Sequence, residues 1–167
     1  MQKRLQLALA AAVFAAAPAA SAQDLTEAQA RAVIAPWYAL FNQPVQGDVV
    51  KTVHEQLLAP DYQSCWGVLA GECWGRDQSM KVVGSFAKSI PDMRFEIKEV
   101  LVAGNRVIVR GEVSGTPSDE LFGVPHTGRS FRIMAIDIQT ISNGKITQTY
   151  HLENWLSALG QLRANVR

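Results

Sequence analysis

The 167-residue sequence has only two cysteines, almost no net charge and, beyond its first 22 residues, no long apolar run. Two cysteines cannot supply the four thiolates of a Cys₄ zinc site. The 16 basic and 15 acidic residues leave a formal charge of +1, which gives no electrostatic attraction for nucleic acid. The sequence contains no Gly-Xaa-Ser-Xaa-Gly elbow, phosphate-binding loop or dinucleotide fingerprint. These absences argue against nucleic-acid-binding proteins and against several common classes of enzyme.

The first 22 residues match a secretory signal peptide. Lys3 and Arg4 form a basic start, an Ala-rich apolar run follows, and Ala20-Ser21-Ala22 is a small-residue cleavage site. The alternative is an uncleaved membrane anchor, but the run is short and contains Pro18. We expect residues 1–22 to be removed and residues 23–167 to form one domain. That domain would be secreted across the inner membrane into the periplasm, with no membrane association after cleavage.

The two cysteines are close in sequence, at Cys65 and Cys73. In an oxidising compartment we expect them to form a disulfide, which closes a short loop and contributes ~2–3 kcal/mol. The alternative is a catalytic thiol, which would need a histidine partner and a protected setting.

Helices are predicted first along the chain and strands afterwards. Apolar spacing and capping residues predict helices over about 26–42, 48–60 and 77–89. Alternation predicts strands over 95–102, 106–114, 131–141 and 146–154, with a short closing helix over 155–162. This order indicates an α+β fold with an antiparallel sheet. The stretch 61–75 is predicted to be irregular, with Trp66 and Trp74 either plugging the core or covering a ligand.

The last two strands are predicted to form a hairpin. Asn143-Gly144 lies between two alternating segments, and a type I′ turn requires positive φ at both central residues. A two-residue loop pairs Ser142 with Lys145, and continuing that register pairs Asp137 with Tyr150.

On this register the polar residues divide between the two faces of the hairpin. Asp137, Tyr150 and Asn154 share one face, whereas His151 and Glu153 occupy the other. A one-residue slip or a bulge would exchange the faces. On either register, carboxylates and an imidazole lie beside apolar residues, a mixture typical of a pocket wall.

Several short stretches occur in an order that resembles a known family. They are residues 58–62, 90–95, 115–117, 122–128, 143–146 and 161–162. Together they resemble the SnoaL-like polyketide cyclase and ester cyclase group of the nuclear-transport-factor-2-like superfamily. The resemblance implies a curved antiparallel sheet wrapped around N-terminal helices, a cone-shaped α+β barrel with an internal pocket, and a homodimer. It also implies an acid/base Asp four residues after an aromatic residue on the last strand, where this chain has Asn154; Pro117 stands where the family often has His.

Asp137 is the first candidate catalytic residue. A carboxylate in a strand that otherwise reads Ile, Ala, Ile, Ile is costly unless it is paired or lines a wet cavity. Burial would raise its pKa towards that of a general base. Alternatively, Tyr150 across the strand pair, or Arg110, satisfies this carboxylate.

His151 and Glu153 are the second candidate group, because residues two apart on a strand share a face. The carboxylate could orient the imidazole as an acid/base pair, or both residues could be surface positions or part of a dimer face. We expect no metal and no cofactor, because His54, His126 and His151 are scattered without zinc-binding spacing. His54 is expected to be an exposed polar residue of the second helix.

These residues favour an exported cyclase-, isomerase- or hydrolase-type enzyme that binds a small hydrophobic carbonyl compound. Asp137 would abstract a proton α to the carbonyl, helped by His151 or Glu153. The residues predicted to contact the substrate are Tyr150, Asn154, Trp37, Trp66, Trp74 and Arg110. The alternative is a non-catalytic periplasmic module that binds a small ligand, because Asn154 can donate a hydrogen bond but cannot exchange a proton at neutral pH.

Overall fold

A computed structural model describes residues 24–42, 47–69 and 71–163, and the predicted signal peptide lies outside these residues. The elements in chain order are α1 (Glu27–Ala39), a 3₁₀ turn (Leu40–Asn42), α2 (Gly47–Leu57), β1 (Leu58–Cys65), β2 (Cys73–Gly75), α3 (Arg76–Ser89), β3 (Arg94–Ala103), β4 (Arg106–Gly115), β5 (Phe131–Ser142), β6 (Lys145–Glu153) and α4 (Trp155–Arg163). None of the described helices is long and apolar enough to cross a membrane.

The six strands form one curved sheet in the order β2-β1-β6-β5-β4-β3. The α+β class is confirmed, but the sheet does not close into a barrel and is not wholly antiparallel, because β1 pairs with β6 in parallel. β1 was missed because Leu58–Cys65 shows no strict alternation of buried and exposed residues and contains Pro60. Proline cannot donate to a ladder, and the β1–β6 register shifts between Leu58 and Gln63.

β5 shows the alternation that the sequence predicts. Its buried positions are Phe131, Ile133, Ala135, Asp137, Gln139 and Ile141. We call the sheet face that carries these side chains the inner face and the opposite face the outer face. The helices add Ile34, Tyr38, Val50 and Val83 to one core with the inner face. Two of the six buried β5 side chains, Asp137 and Gln139, are polar, so the core is apolar at the start of this strand and partly polar further along it.

The stretches behind the family resemblance include two ties between elements. The carboxylate of Asp92 accepts hydrogen bonds from the Thr116 backbone N–H at 2.6 Å and from its hydroxyl at 2.8 Å. The amide of Gln161 exchanges two hydrogen bonds with the backbone of Arg132, at 2.8 and 2.9 Å. The first tie joins the approach to β3 to the end of β4, and the second holds α4 against β5.

The predicted hairpin turn is present, but the register beyond it is wrong. Asn143 and Gly144 both have positive φ, 51° and 72°, and Ser142 pairs with Lys145. The register then shifts between Thr140 and Ile141, because Thr147 is an extra residue in β6. A one-residue bulge moves every later side chain of the bulged strand to the other face.

His54 was predicted to be exposed, and it is buried with 1% of its surface accessible. Its Nδ1 lies 2.8 Å from the Val50 carbonyl, and its ring packs edge-on against Trp37 at 5.3 Å. Burial is the main cause that lowers its pKa. The polarity of α2 around His54 gave no sign of this contact, because the packing partner lies on another helix.

Candidate functional site

A cavity of about 420 Å³ lies between the inner face of the sheet and the helices. Most of its wall is aromatic or aliphatic, from Trp37, Phe41, Trp66, Trp74, Val82, Val83, Phe86, Met93, Phe95, Val113, Phe122, Leu152 and Trp155. The polar part of the wall consists of Ser64, Ser79, Asp137, Thr149, His151 and Glu153. Cavities of this size, largely apolar with a few convergent polar groups, are typical of small-molecule sites.

The bulge in β6 places three titratable side chains on the same face. Asp137 of β5 pairs directly with His151 of β6, and Ala135 pairs with Glu153 two residues further on. Directly paired residues project to one side of a sheet. Asp137, His151 and Glu153 therefore all line the cavity, whereas the register read from the sequence had separated Asp137 from the other two.

Asp137 is held by a buried chain of hydrogen bonds that crosses from the sheet to α1. The Tyr38 hydroxyl donates to Asp137 Oδ2 at 2.6 Å, and the Gln139 amide donates to the Tyr38 oxygen at 3.2 Å. All three side chains are buried. The sequence had offered Tyr150 or Arg110 as the partner of Asp137, and both assignments are wrong. Tyr38 is 99 positions away from Asp137, so no local pattern indicated the contact.

Burial raises the pKa of Asp137 from its ordinary 3.8 to about 7, and the negative charge of Glu153 acts in the same direction. The hydrogen bond from Tyr38 and the charge of His151 lower this pKa, but burial is the largest cause. Asp137 is therefore close to half ionised at neutral pH, which is the condition that suits a general base.

His151 and Glu153 form a contacting pair, with Nδ1 3.2 Å from the Glu153 carboxylate. Burial lowers the pKa of His151, but the hydrogen bond to Glu153 and the charges of Glu153 and Asp137 outweigh it, so the net change is upward. Nε2 of His151 is buried and has no hydrogen-bond partner among the described residues. The Glu153 carboxylate thus orients the imidazole ring through Nδ1, and Nε2 is left without a protein partner on the side chain that lines the cavity.

The disulfide between Cys65 and Cys73 is confirmed, and it ties β1 to β2 beside two cavity tryptophans, Trp66 directly after β1 and Trp74 on β2. Cys65 pairs with Cys73 and Ser64 with Trp74 in the β1–β2 ladder. The Trp66 and Trp74 rings lie 3.9 Å apart between centroids, and both line the cavity. Trp66 and Trp74 therefore line the cavity wall, and Trp37 of α1 lines it as well.

Three of the residues predicted to contact substrate lie away from the cavity. Tyr150 is on the outer face with 42% of its surface accessible, 6.0 Å from the guanidinium of Arg106. Arg110 is also on the outer face and pairs with Glu99 at 2.9 Å. Asn154 caps α4, where its side-chain oxygen accepts from the Ser157 backbone N–H at 3.1 Å. For Tyr150 the reason is the bulge in β6, and for Asn154 it is the end of the strand.

Within the described residues, no group of three His, Cys, Asp or Glu side chains is arranged to hold a metal ion. His126 lies in the loop between β4 and β5, where its Nδ1 is 2.8 Å from the Pro117 carbonyl.

A helix-covered cavity on an open, curved α+β sheet defines the nuclear-transport-factor-2-like class. Within this class, the chain belongs to the SnoaL-like polyketide cyclase family, whose model matches residues 40–162. The predicted fold class and family are thus confirmed.

Solved structures show the same fold. TsrD from Streptomyces laurentii is 22% identical, with a TM-score of 0.70 over 85% of this chain and 100% of its own. A proposed SnoaL-like polyketide cyclase from Jannaschia sp. CCS1 is 16% identical, with a TM-score of 0.70 over 86% of this chain and 99% of its own. IdmH from Streptomyces antibioticus, a proposed polyketide cyclase, is 25% identical, with a TM-score of 0.68 over 80% of this chain and 97% of its own. No curated protein matches the sequence significantly.

Proposed function

We propose that this protein is an acid/base enzyme that binds a small hydrophobic carbonyl compound and removes a proton from the carbon α to the carbonyl. One observation carries the proposal. Asp137, His151 and Glu153 meet on one wall of a cavity whose remaining surface is largely apolar. The apolar wall can bury the body of such a compound. The three titratable groups can then transfer protons to and from its carbonyl end.

In the proposed reaction, the Asp137 carboxylate takes the α-proton. The C–H bond breaks, an O–H bond forms on Asp137, and the electron pair moves into the carbonyl to give an enolate. Nε2 of His151 donates a hydrogen bond to the enolate oxygen, and Glu153 holds the opposite ring nitrogen. The enolate carbon then either regains the proton, which can isomerise the compound, or attacks a second carbonyl of the same molecule. In that cyclisation the new alkoxide takes the proton back from Asp137.

The two titrating groups set the expected pH dependence. Asp137 must be ionised to act as base, so the rate rises with pH through about 7. His151 must carry its proton to stabilise the enolate best, and its pKa is raised above the ordinary value. The rate therefore falls again as the imidazolium deprotonates, and a bell-shaped profile results.

Exchange of α-protons with solvent tests the proposal without knowledge of the natural substrate. The probe is 2-tetralone in D₂O, and NMR follows the loss of its α-proton signals with and without the protein. Wild-type protein should accelerate exchange, and Asp137→Asn should abolish the acceleration. Asp61→Asn, which removes an exposed carboxylate on β1, is the matched control. If 2-tetralone binds but neither the wild-type protein nor the Asp61→Asn control accelerates exchange, the protein is a non-catalytic binding module and the enzyme proposal is wrong.

We also propose that the protein is exported to the periplasm. The signal-peptide pattern of residues 1–22 supports this, as does the disulfide, since disulfides persist in oxidising compartments. The test is the intact mass of the protein in a periplasmic extract of the expressing bacterium. A mass that lacks residues 1–22 is expected, and a full-length chain confined to the cytoplasm would contradict export.

A homodimer formed through the outer face of the sheet is proposed as well. Neighbouring positions of β5 and β6 on this face are apolar and accessible, with Met134 at 50%, Ile136 at 37% and Tyr150 at 42%. Exposed apolar patches of this kind mark association surfaces. Ile136→Glu should convert a dimer to a monomer in light scattering, whereas Val49→Glu, an exposed apolar position on α2, should not. A monomeric wild-type protein would end this proposal.

A further inference from the structure

The charged groups of the cavity are unbalanced. Two carboxylates, Asp137 and Glu153, line it, and no Lys or Arg is among the described residues that do so. The one group that can carry positive charge is His151, which is already paired with Glu153 through Nδ1. Asp137 receives its hydrogen bond from the neutral hydroxyl of Tyr38. The site therefore has two carboxylates and only one side chain, His151, that can carry a positive charge to balance them.

Aromatic rings supply most of the apolar wall of the cavity. Four tryptophans line the cavity: Trp37, Trp66, Trp74 and Trp155. The face of an indole carries negative electrostatic potential and attracts a cation within about 6 Å of the ring centroid. The same rings and carboxylates disfavour a carboxylate or phosphate ligand, which would lose its water without gaining a cationic partner.

We propose that the cavity also binds a lipophilic organic cation, a quaternary ammonium or protonated amine attached to an aromatic body. The ammonium group lies towards Asp137 and the indole rings, and the aromatic body fills the apolar part of the cavity. The inference depends on the proposed function only in using the same cavity, and it adds a ligand class that the carbonyl chemistry does not require.

Binding of a cation has a consequence that a neutral ligand lacks. A positive charge beside Asp137 favours its ionised form, so the protonated fraction of the carboxyl loses its proton on binding. The other titratable groups around Asp137 are Tyr38 from α1, Tyr62 from β1, and His151 and Glu153 from β6. The α3 residues that line the cavity are Ser79, Val82, Val83 and Phe86, none of which is charged. Since the pKa of Asp137 is about 7, up to about half a proton is released at pH 7.

Three naphthalene probes that differ in charge test the inference by calorimetry at pH 7. They are (naphthalen-2-ylmethyl)trimethylammonium, the neutral 2-(methoxymethyl)naphthalene and the anion 2-naphthylacetate. Titrations in phosphate and in Tris, which differ in ionisation enthalpy, count the protons released. The cation should bind about tenfold more tightly than the neutral probe, and the anion more weakly than either. Only the cation should release protons.

Variants distinguish attraction of the cation by the cavity carboxylates from attraction by the overall charge of the protein. Asp137→Asn should remove the proton release. Glu153→Gln should weaken binding of the cationic probe and leave binding of the neutral probe unchanged. Glu99→Gln, which removes an exposed carboxylate on the outer face, should leave all three affinities unchanged. Equal affinity for the cation and the neutral probe would overturn the cation site and leave the carbonyl proposal standing. Failure of all three probes to bind would overturn both.

Discussion

Asp137→Asn should make the protein more stable at alkaline pH, although it removes the proposed base. Burial raises the pKa of Asp137 from 3.8 to about 7, and each pKa unit corresponds to about 1.4 kcal/mol, so ionising this carboxyl in the folded protein costs roughly 4 kcal/mol. The folded pKa is raised, so the stabilising contribution is complete below about pH 4 and is lost as pH rises through about 7. Asparagine is neutral throughout and can still accept the hydrogen bond from Tyr38.

Urea unfolding followed by tryptophan fluorescence at pH 5 and pH 8.5 measures this difference. The stability of the variant relative to wild type should increase by a few kcal/mol between pH 5 and pH 8.5. Asp61→Asn, at an exposed position, should change little between them. A loss of stability that is the same at both pH values would refute the reasoning, because it would show that Asp137 is not a buried carboxyl with a raised pKa.

Three other outcomes are expected. Tyr38→Phe removes the hydrogen bond that lowers the pKa of Asp137, so the rising limb of α-proton exchange should move to higher pH, and an unchanged profile would exclude Tyr38 from the site. Asn154→Ala should destabilise the protein by about 1 kcal/mol through loss of the α4 cap and leave the affinity for 2-tetralone unchanged. Weaker binding of 2-tetralone would show that Asn154 contacts the ligand after all. Replacing Cys65 and Cys73 with serine should lower the free energy of unfolding by roughly 2–3 kcal/mol and weaken ligand binding by loosening the tryptophan pair, whereas equal stability in urea would contradict this.

Patterns within one segment predicted much of the fold. The period of β5 placed Asp137 on a buried face, and Asn143-Gly144 gave the correct turn. Both signals are local, because strand alternation and turn geometry depend on residues close in sequence. The order of helices and strands was likewise enough for the α+β class.

The site itself depended on features that no local pattern contains. The extra residue at Thr147 reverses the faces of β6, and it brings His151 and Glu153 beside Asp137 in place of Tyr150. Whether a strand bulges is decided by its partners, so the sequence permitted both registers. Tyr38 and Gln139 were missed for a related reason, since their roles depend on how α1 docks on the sheet.

NMR titration of the Asp137 side-chain carboxyl carbon, with and without bound 2-tetralone, tests the central claim most directly. We expect a pKa of about 7 in the free protein and a change in both pKa and chemical shift when the ligand binds. A pKa near 3.8, unaffected by ligand, would mean that this carboxyl is an ordinary solvated group and that the cavity does not use it.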